Sequence, residues 1–191
     1  DYRFQVVNPG AYSSRPVKDT AIYHLAAGLT RIGDYEFPVQ LNEVTRTYFS
    51  RKYAIESGEM GAAMKALVED AADTKAAAVV SQDPRLNAML RTTCVATLLN
   101  AGHATNALPQ RARANINCRI FPDVSIEAVR QTLERVVADA AVSVTTVEPS
   151  DPVGPPPPLT PAIMKPIEEV TRRIYPGIAV VPVLQAAGTD A

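Results

Sequence analysis

Residues 91–121 read Arg-Thr-Thr-Cys-Val-Ala-Thr-Leu-Leu-Asn-Ala-Gly-His-Ala-Thr-Asn-Ala-Leu-Pro-Gln-Arg-Ala-Arg-Ala-Asn-Ile-Asn-Cys-Arg-Ile-Phe. A strand-like run at 91–99 leads through the turn-rich stretch 100–109 into a second run at 112–121, the pattern of an antiparallel hairpin. In the second run the alternation is strict. Ala112, Ala114, Ile116, Cys118 and Ile120 fall on one side, and Arg113, Asn115, Asn117 and Arg119 on the other. Successive side chains of a strand point to opposite faces, so one face of this sheet is covered and the other is polar and available.

Outward from the hairpin, residues 2–8 read as a strand that ends at Pro9-Gly10. Asp19 then caps a helix with Ile22, Leu25, Ala26, Leu29 and Ile32 at helical spacing, and Gly33 is its expected stop. After the hairpin, Ser125 caps a second helix whose stripe is Ile126, Val129, Leu133, Val136 and Val137, and a last strand is expected at 142–147. The order β-α-β-β-α-β predicts an α+β, ferredoxin-like sandwich: a four-stranded antiparallel sheet with both helices on its apolar face.

Two regions fall outside that frame. Residues 36–90 predict a helical insert, with Met60, Met64, Leu67, Val68 and Ala71 as a core stripe. Seven of the thirteen residues at 149–161 are proline, a stiff extended linker between domains. Beyond it, Thr160-Pro161 opens a helix, and Ile178–Leu184 reads as a buried strand weakened by Pro182. One helix and one strand cannot bury a core. The expected division is therefore 1–148 as one domain, 149–161 as linker and 162–191 as a fragment of another. A chain that opens at Asp1 and stops within Gly188-Thr189-Asp190-Ala191 reads as an excised piece.

Composition narrows the function classes. The chain has 191 residues, 47% of them apolar and 20% charged, so wholesale disorder is excluded. Its 19 basic and 20 acidic residues give a net charge of −1, which offers nucleic acid no overall attraction. No run approaches the length of a membrane span. Cys94 and Cys118, each in a strand-like run, are expected as buried thiols, and two cysteines leave the compartment open.

No metalloprotease, phosphate-loop or nucleophile-elbow motif is present. The two histidines, His24 and His103, lack clustered carboxylates, so a hydrolytic metal site is not expected here. His24 reads as a surface or packed residue and His103 as a loop residue. Glu168-Glu169 reads as a solvated helix face, since neighbours on a helix diverge by about 100 degrees. Two turn-rich segments stand out instead, Asn8–Pro16 and Gly102–Pro109, each beside a strand.

These segments carry a resemblance. Asn8-Pro-Gly-Ala-Tyr-Ser-Ser-Arg-Pro16, followed by Asp19-Thr-Ala-Ile-Tyr-His-Leu-Ala26, resembles the opening of the dimerisation (lid) domain of M20 metallopeptidases. Gly102–Pro109 with Ala114-Asn-Ile-Asn-Cys-Arg119 is similar to that family's hairpin, and Gly188-Thr189-Asp190-Ala191 to a turn of its catalytic domain. The resemblance spans nearly the whole chain and implies the same ferredoxin-like lid.

It further implies a zinc-dependent, homodimeric hydrolase that cleaves amide bonds of small peptides or N-acyl amino acids next to a free carboxylate. Two zinc ions and a glutamate base would lie outside this span, so the isolated chain is expected to be inactive. Asn106 matches an asparagine that reaches a partner subunit's active site. Arg119 matches an arginine that pairs with the substrate carboxylate, and Gly188 with Thr189 a substrate-binding turn. Tyr12 stands where the family usually has an oxyanion-stabilising histidine that crosses the dimer. A phenol can donate a hydrogen bond there but cannot carry imidazolium charge. The competing reading is a stand-alone ferredoxin-like module for a small ligand or a protein partner, without catalysis.

Overall fold

A computed structural model of the chain describes residues 1–148, 154–156 and 158–185. Its four long strands are β1 (Tyr2–Val7), β3 (Thr93–Ala101), β5 (Arg111–Arg119) and β6 (Val142–Thr146). They form one antiparallel sheet in the order β3-β5-β1-β6. Helices α1 (Ala21–Asp34) and α6 (Ile126–Val137) supply the two crossovers, so the expected ferredoxin-like βαββαβ sandwich is the fold observed.

Alternation drives the packing. Tyr2, Phe4 and Val6 of β1, Ala112, Ala114 and Ile116 of β5, and Val142 and Val144 of β6 turn to one side. There they meet Leu25 and Ile32 of α1 and Val129, Leu133 and Val137 of α6 in one continuous core. The Tyr2 hydroxyl donates to the Ile126 carbonyl at 2.8 Å, and burial pushes the phenol up to about 12. The helix caps differ by one position from expectation at α1. Thr20, rather than Asp19, accepts the Tyr23 amide, and the helix runs past Gly33 to Asp34. Ser125 caps α6 as expected, accepting from the Ala128 amide.

The cysteines require a larger correction. Cys94 and Cys118 are a disulfide. Counted back from the hairpin tip, Leu98 faces Asn115 and Asn100 faces Arg113, a register that would set Cys94 against Arg119. A β-bulge at Thr97 shifts the ladder by one residue, after which Ala96 faces Ile116 and Cys94 faces Cys118 directly. The Asn115 side-chain amide donates to the Thr97 hydroxyl at 3.0 Å and holds the bulge.

The insert forms α2 (Glu43–Lys52), α3 (Gly58–Glu69), α4 (Thr74–Val80) and α5 (Pro84–Leu90). Phe49, Met64, Leu67, Val80 and Leu90 close a second core with Met60 and Val68 packed against it, as expected of that stripe, while α3 ends at Glu69 and leaves Ala71 outside the helix. By compactness the insert groups with the C-terminal segment, whose helix α7 (Pro161–Ile174) starts with proline at its first turn. Arg51 of α2 donates to Glu168 Oε1 and to the Val180 carbonyl, each at 2.7 Å, so Glu168 is an ion-pair partner rather than part of a solvated face. Residues 178–185 form no strand. Ile178 and Val183 are exposed, and the stretch offers alternating apolar residues without a neighbouring strand to pair with. Among the described residues no helix is long and apolar enough to cross a membrane.

Candidate functional site

The two turn-rich segments meet because β1 and β5 are sheet neighbours. At the end of that pair Val7 faces Arg111. The Asn8 amide then donates to the Gln110 carbonyl at 2.9 Å, and the Gln110 side chain donates to the Pro9 carbonyl. Gly10 takes φ +75, and a Cβ there would lie 2.8 Å from Gln110 Cγ and 3.0 Å from the Leu108 carbonyl oxygen. Only glycine satisfies both the backbone and the close approach.

Past that turn a second, two-stranded ladder forms between β2 (Ala11–Tyr12) and β4 (Ala107–Leu108), with Tyr12 opposite Ala107. The Ser13 amide donates to the Asn106 carbonyl at 2.9 Å. Tyr12 and Asn106 are thus brought together on one ladder, both exposed, with the Tyr12 side of the loop 70% accessible. Exposed polar side chains on a backbone fixed by ladder hydrogen bonds are suited to act on something outside this chain.

Beneath the ladder a polar cleft of about 420 Å³ is lined by Gln5, Asn100, His103, Gln110 and Arg111 among others. His103 is therefore a cleft residue on an exposed loop. The Gln5 side-chain oxygen Oε1 accepts from Arg113 Nε on the same open face.

Arg119 is not part of this group. It lies on the open face, as expected, but eight residues from Arg111 along β5, roughly 27 Å at strand rise. Its guanidinium is exposed, and no hydrogen bond or ion pair engages it among the described residues. Gly188 and Thr189 lie outside the described residues. Among those described, no group of three or more His, Cys, Asp or Glu is placed to hold a metal ion.

One polar chain escaped the sequence reading. His24 on α1 places Nδ1 2.6 Å from Asp139 Oδ2 and Nε2 3.0 Å from Asp19 Oδ1. Asp19 Oδ1 also accepts from the Asn8 side-chain amide at 3.2 Å. The hydrogen bond to Asp139 first, and that to Asp19 second, hold the imidazole above its ordinary value of 6.5. Asp139 is held below its own, chiefly by His24. The chain ties the base of the Tyr12 loop to α1 and to the α6–β6 turn. The four polar residues run from Asn8 to Asp139 in the sequence, so no local pattern announces them.

Residues 15–145 match the peptidase dimerisation domain of the M20 family, and the chain belongs to that family. It is 27% identical to the mouse (Mus musculus) N-fatty-acyl-amino acid synthase/hydrolase PM20D1, over all of this chain and 38% of that protein. A probable carboxypeptidase S-like 2 from Dictyostelium discoideum is 26% identical, over all of this chain and 36% of that protein. The chain thus spans little more than a third of these relatives. In fold it is similar to an M20 family metallo-carboxypeptidase, Sso-CP2, from Sulfolobus solfataricus. That match has a TM-score of 0.50 at 16% identity and covers 98% of this chain and 52% of the other.

Proposed function

We propose that this chain is the lid and dimerisation part of a zinc-dependent hydrolase acting on amide bonds of peptides or N-acyl amino acids beside a free carboxylate. The reaction adds water across the C–N bond: oxygen goes to the carbonyl carbon and a proton to the leaving nitrogen. In this reading residues 1–148 are the lid with its insert at about 36–90, 149–161 the linker, and 162–191 part of the catalytic domain. The ligands of the two zinc ions would lie outside the described residues, and the metal would supply activation of the attacking water.

The observation that carries the reading is the spatial sorting of the motif residues. Tyr12 and Asn106 share one ladder at one end of the sheet, and Arg119 stands uncommitted at the other. Arg119 presents a planar fork of donors, which matches a substrate carboxylate. Tyr12 O–H donates to the tetrahedral oxyanion, a weaker service than an imidazolium gives. Asn106 supplies a second polar group beside it. Since both ends cannot reach one small substrate, Tyr12 and Asn106 would serve the partner's site and Arg119 its own. Gly188 and Thr189 would complete the substrate-binding turn.

Homodimerisation fits the edge strand. β3 pairs on one side only, with β5, and exposes Val95, Leu98 and Leu99. An apolar, unpaired edge is a template for a second strand. On α7, Ile163, Ile167, Val170 and Ile174 are exposed at helical spacing, a face that a catalytic domain would cover and a stand-alone module leaves unexplained.

The test is to purify the whole gene product and the 191-residue chain separately and assay both on N-acyl amino acids and dipeptides, with and without zinc. Zinc-dependent hydrolysis by the gene product alone is expected. Hydrolysis by the isolated chain, or none by the metal-loaded gene product, contradicts the reading.

A further inference from the structure

The strand end that carries Arg119 is poorly supported by the sheet itself. β1 pairs with β5 only from Val7–Arg111 to Tyr2–Ile116, so Asn117, Cys118 and Arg119 extend beyond their inner neighbour. Among the described residues a side-chain hydrogen bond supports that flank, from the Asn117 amide to Asp1 Oδ1 at 2.6 Å. On the other flank stands β3, an edge strand with no second neighbour in the sheet. The ladder it offers there is short, Thr93–Ala96 against Ile116–Arg119, because the bulge at Thr97 interrupts it. Four pairs at the corner of a sheet are a weak hold on a side chain that must meet a substrate to within a fraction of an ångström.

The one covalent tie in this corner is Cys94–Cys118, adjacent in sequence to Arg119 and inside that short ladder. Its sulfurs lie on the helix side of the sheet, packed against the core, while Arg119 projects from the open side. The bridge therefore constrains the backbone without occupying the space a substrate would need. It also fixes register, since only the bulged pairing sets the two cysteines opposite each other.

We propose that the Cys94–Cys118 disulfide is the positioning element for Arg119, holding the overhanging end of β5 when oxidised and releasing it when reduced. The inference rests on the reading of Arg119 as the carboxylate-gripping residue. Reduction by a dithiol breaks the single S–S bond, delivers two electrons and two protons to form two thiols, and leaves the reagent as its own disulfide. Neither cysteine touches substrate. Their effect passes through the backbone to Arg119.

The experiment uses the whole gene product in three forms: oxidised, reduced with a dithiol, and as the Cys94→Ala/Cys118→Ala variant. Each is assayed on an N-acyl amino acid and on its carboxamide, alone and with Arg119→Ala, beside amide hydrogen exchange of the folded protein. The expected result is a rise in KM of about tenfold for the acid, with kcat and the carboxamide nearly unchanged, on reduction or cysteine replacement. In the Arg119→Ala background the cysteine changes should have no further effect on KM. Exchange should quicken at 93–96 and 117–119 while β1 and β6 stay protected. A lowered melting temperature with unchanged KM, or equal losses on acid and carboxamide, overturns the positioning role. So does finding two free thiols in the active protein. If Arg119→Ala keeps the preference for acid over carboxamide, the carboxylate reading falls and this inference with it. If that preference is lost but reduction changes nothing, the bridge alone is excluded.

Discussion

Tyr12 and Arg119 stand at opposite ends of the sheet, Tyr12 beyond the Val7–Arg111 pair and Arg119 beyond the Tyr2–Ile116 pair. Both are solvent-exposed, Tyr12 on the two-residue ladder with β4 and Arg119 at the end of β5 that overhangs β1. On the proposed function, such a lid would offer one group to each of two sites. The separation is a property of the fold and does not depend on which substrate is cleaved.

Tyr12 then predicts a kinetic signature. Tyr12→Phe deletes the O–H and keeps the ring, so kcat should fall roughly 10- to 100-fold with little change in KM, the pattern of a lost oxyanion donor. Tyr12→His should retain or raise kcat, because imidazole also donates. An unchanged kcat in Tyr12→Phe, measured by steady-state kinetics, would remove Tyr12 from the chemistry.

The exposed edge predicts assembly. Leu98 is 70% accessible on β3, and a lysine there should block strand-to-strand pairing. Sedimentation of Leu98→Lys should show a monomer where the native chain shows a dimer. A native dimer that the substitution leaves intact would place the interface elsewhere.

The polar chain through His24 predicts a pH dependence. Its imidazole titrates above 6.5, so its contribution to stability is complete below that pH and is lost as pH rises through the raised value. Asp139 works in the other direction. Its carboxylate is held below 3.8 by His24, with the Ala141 amide and Arg31 assisting, so that contribution is present above pH 3.8 and lost as pH falls through the lowered value. His24→Gln should cost about 1 kcal/mol near pH 6 and flatten the alkaline slope of the melting temperature. A variant whose profile parallels the native one would show that the triad does not couple to folding.

Core packing predicts the largest stability effect. Phe4 is fully buried between α1 and α6 on the helix face of β1, and Phe4→Ala should cost about 3–5 kcal/mol by chemical denaturation. The comparable change at Val7, on the same strand but exposed, should cost well under 1 kcal/mol.

Periodicity made most of the fold legible. The strict alternation at 112–120 gives both the strand and the covered face, because inward and outward positions on a pleat differ by one residue. The helical stripes on α1 and α6 follow from the same logic at a different period. What escaped was non-local. The Cys94–Cys118 pairing depends on a one-residue bulge at Thr97, a residue with no distinctive turn chemistry. The loss of a strand at 178–185 depends on what pairs beside it, which a sequence window does not contain. Within the candidate site, Tyr12 and Asn106 were readable as motif positions. Their adjacency follows from β1 and β5 being neighbours, a long-range fact, and the distance to Arg119 follows only once the register is known.

The most direct test of the two-ended lid is a mixed dimer of the whole gene product, co-expressed from one Tyr12→Phe chain and one Arg119→Ala chain. If Tyr12 serves the partner's site and Arg119 its own, each mixed dimer holds one intact site and one doubly impaired site. Random pairing should then restore about one quarter of native activity, well above either variant alone. Activity no higher than the mean of the two separate variants would mean that both residues of a chain act in the same site, and the account would be wrong.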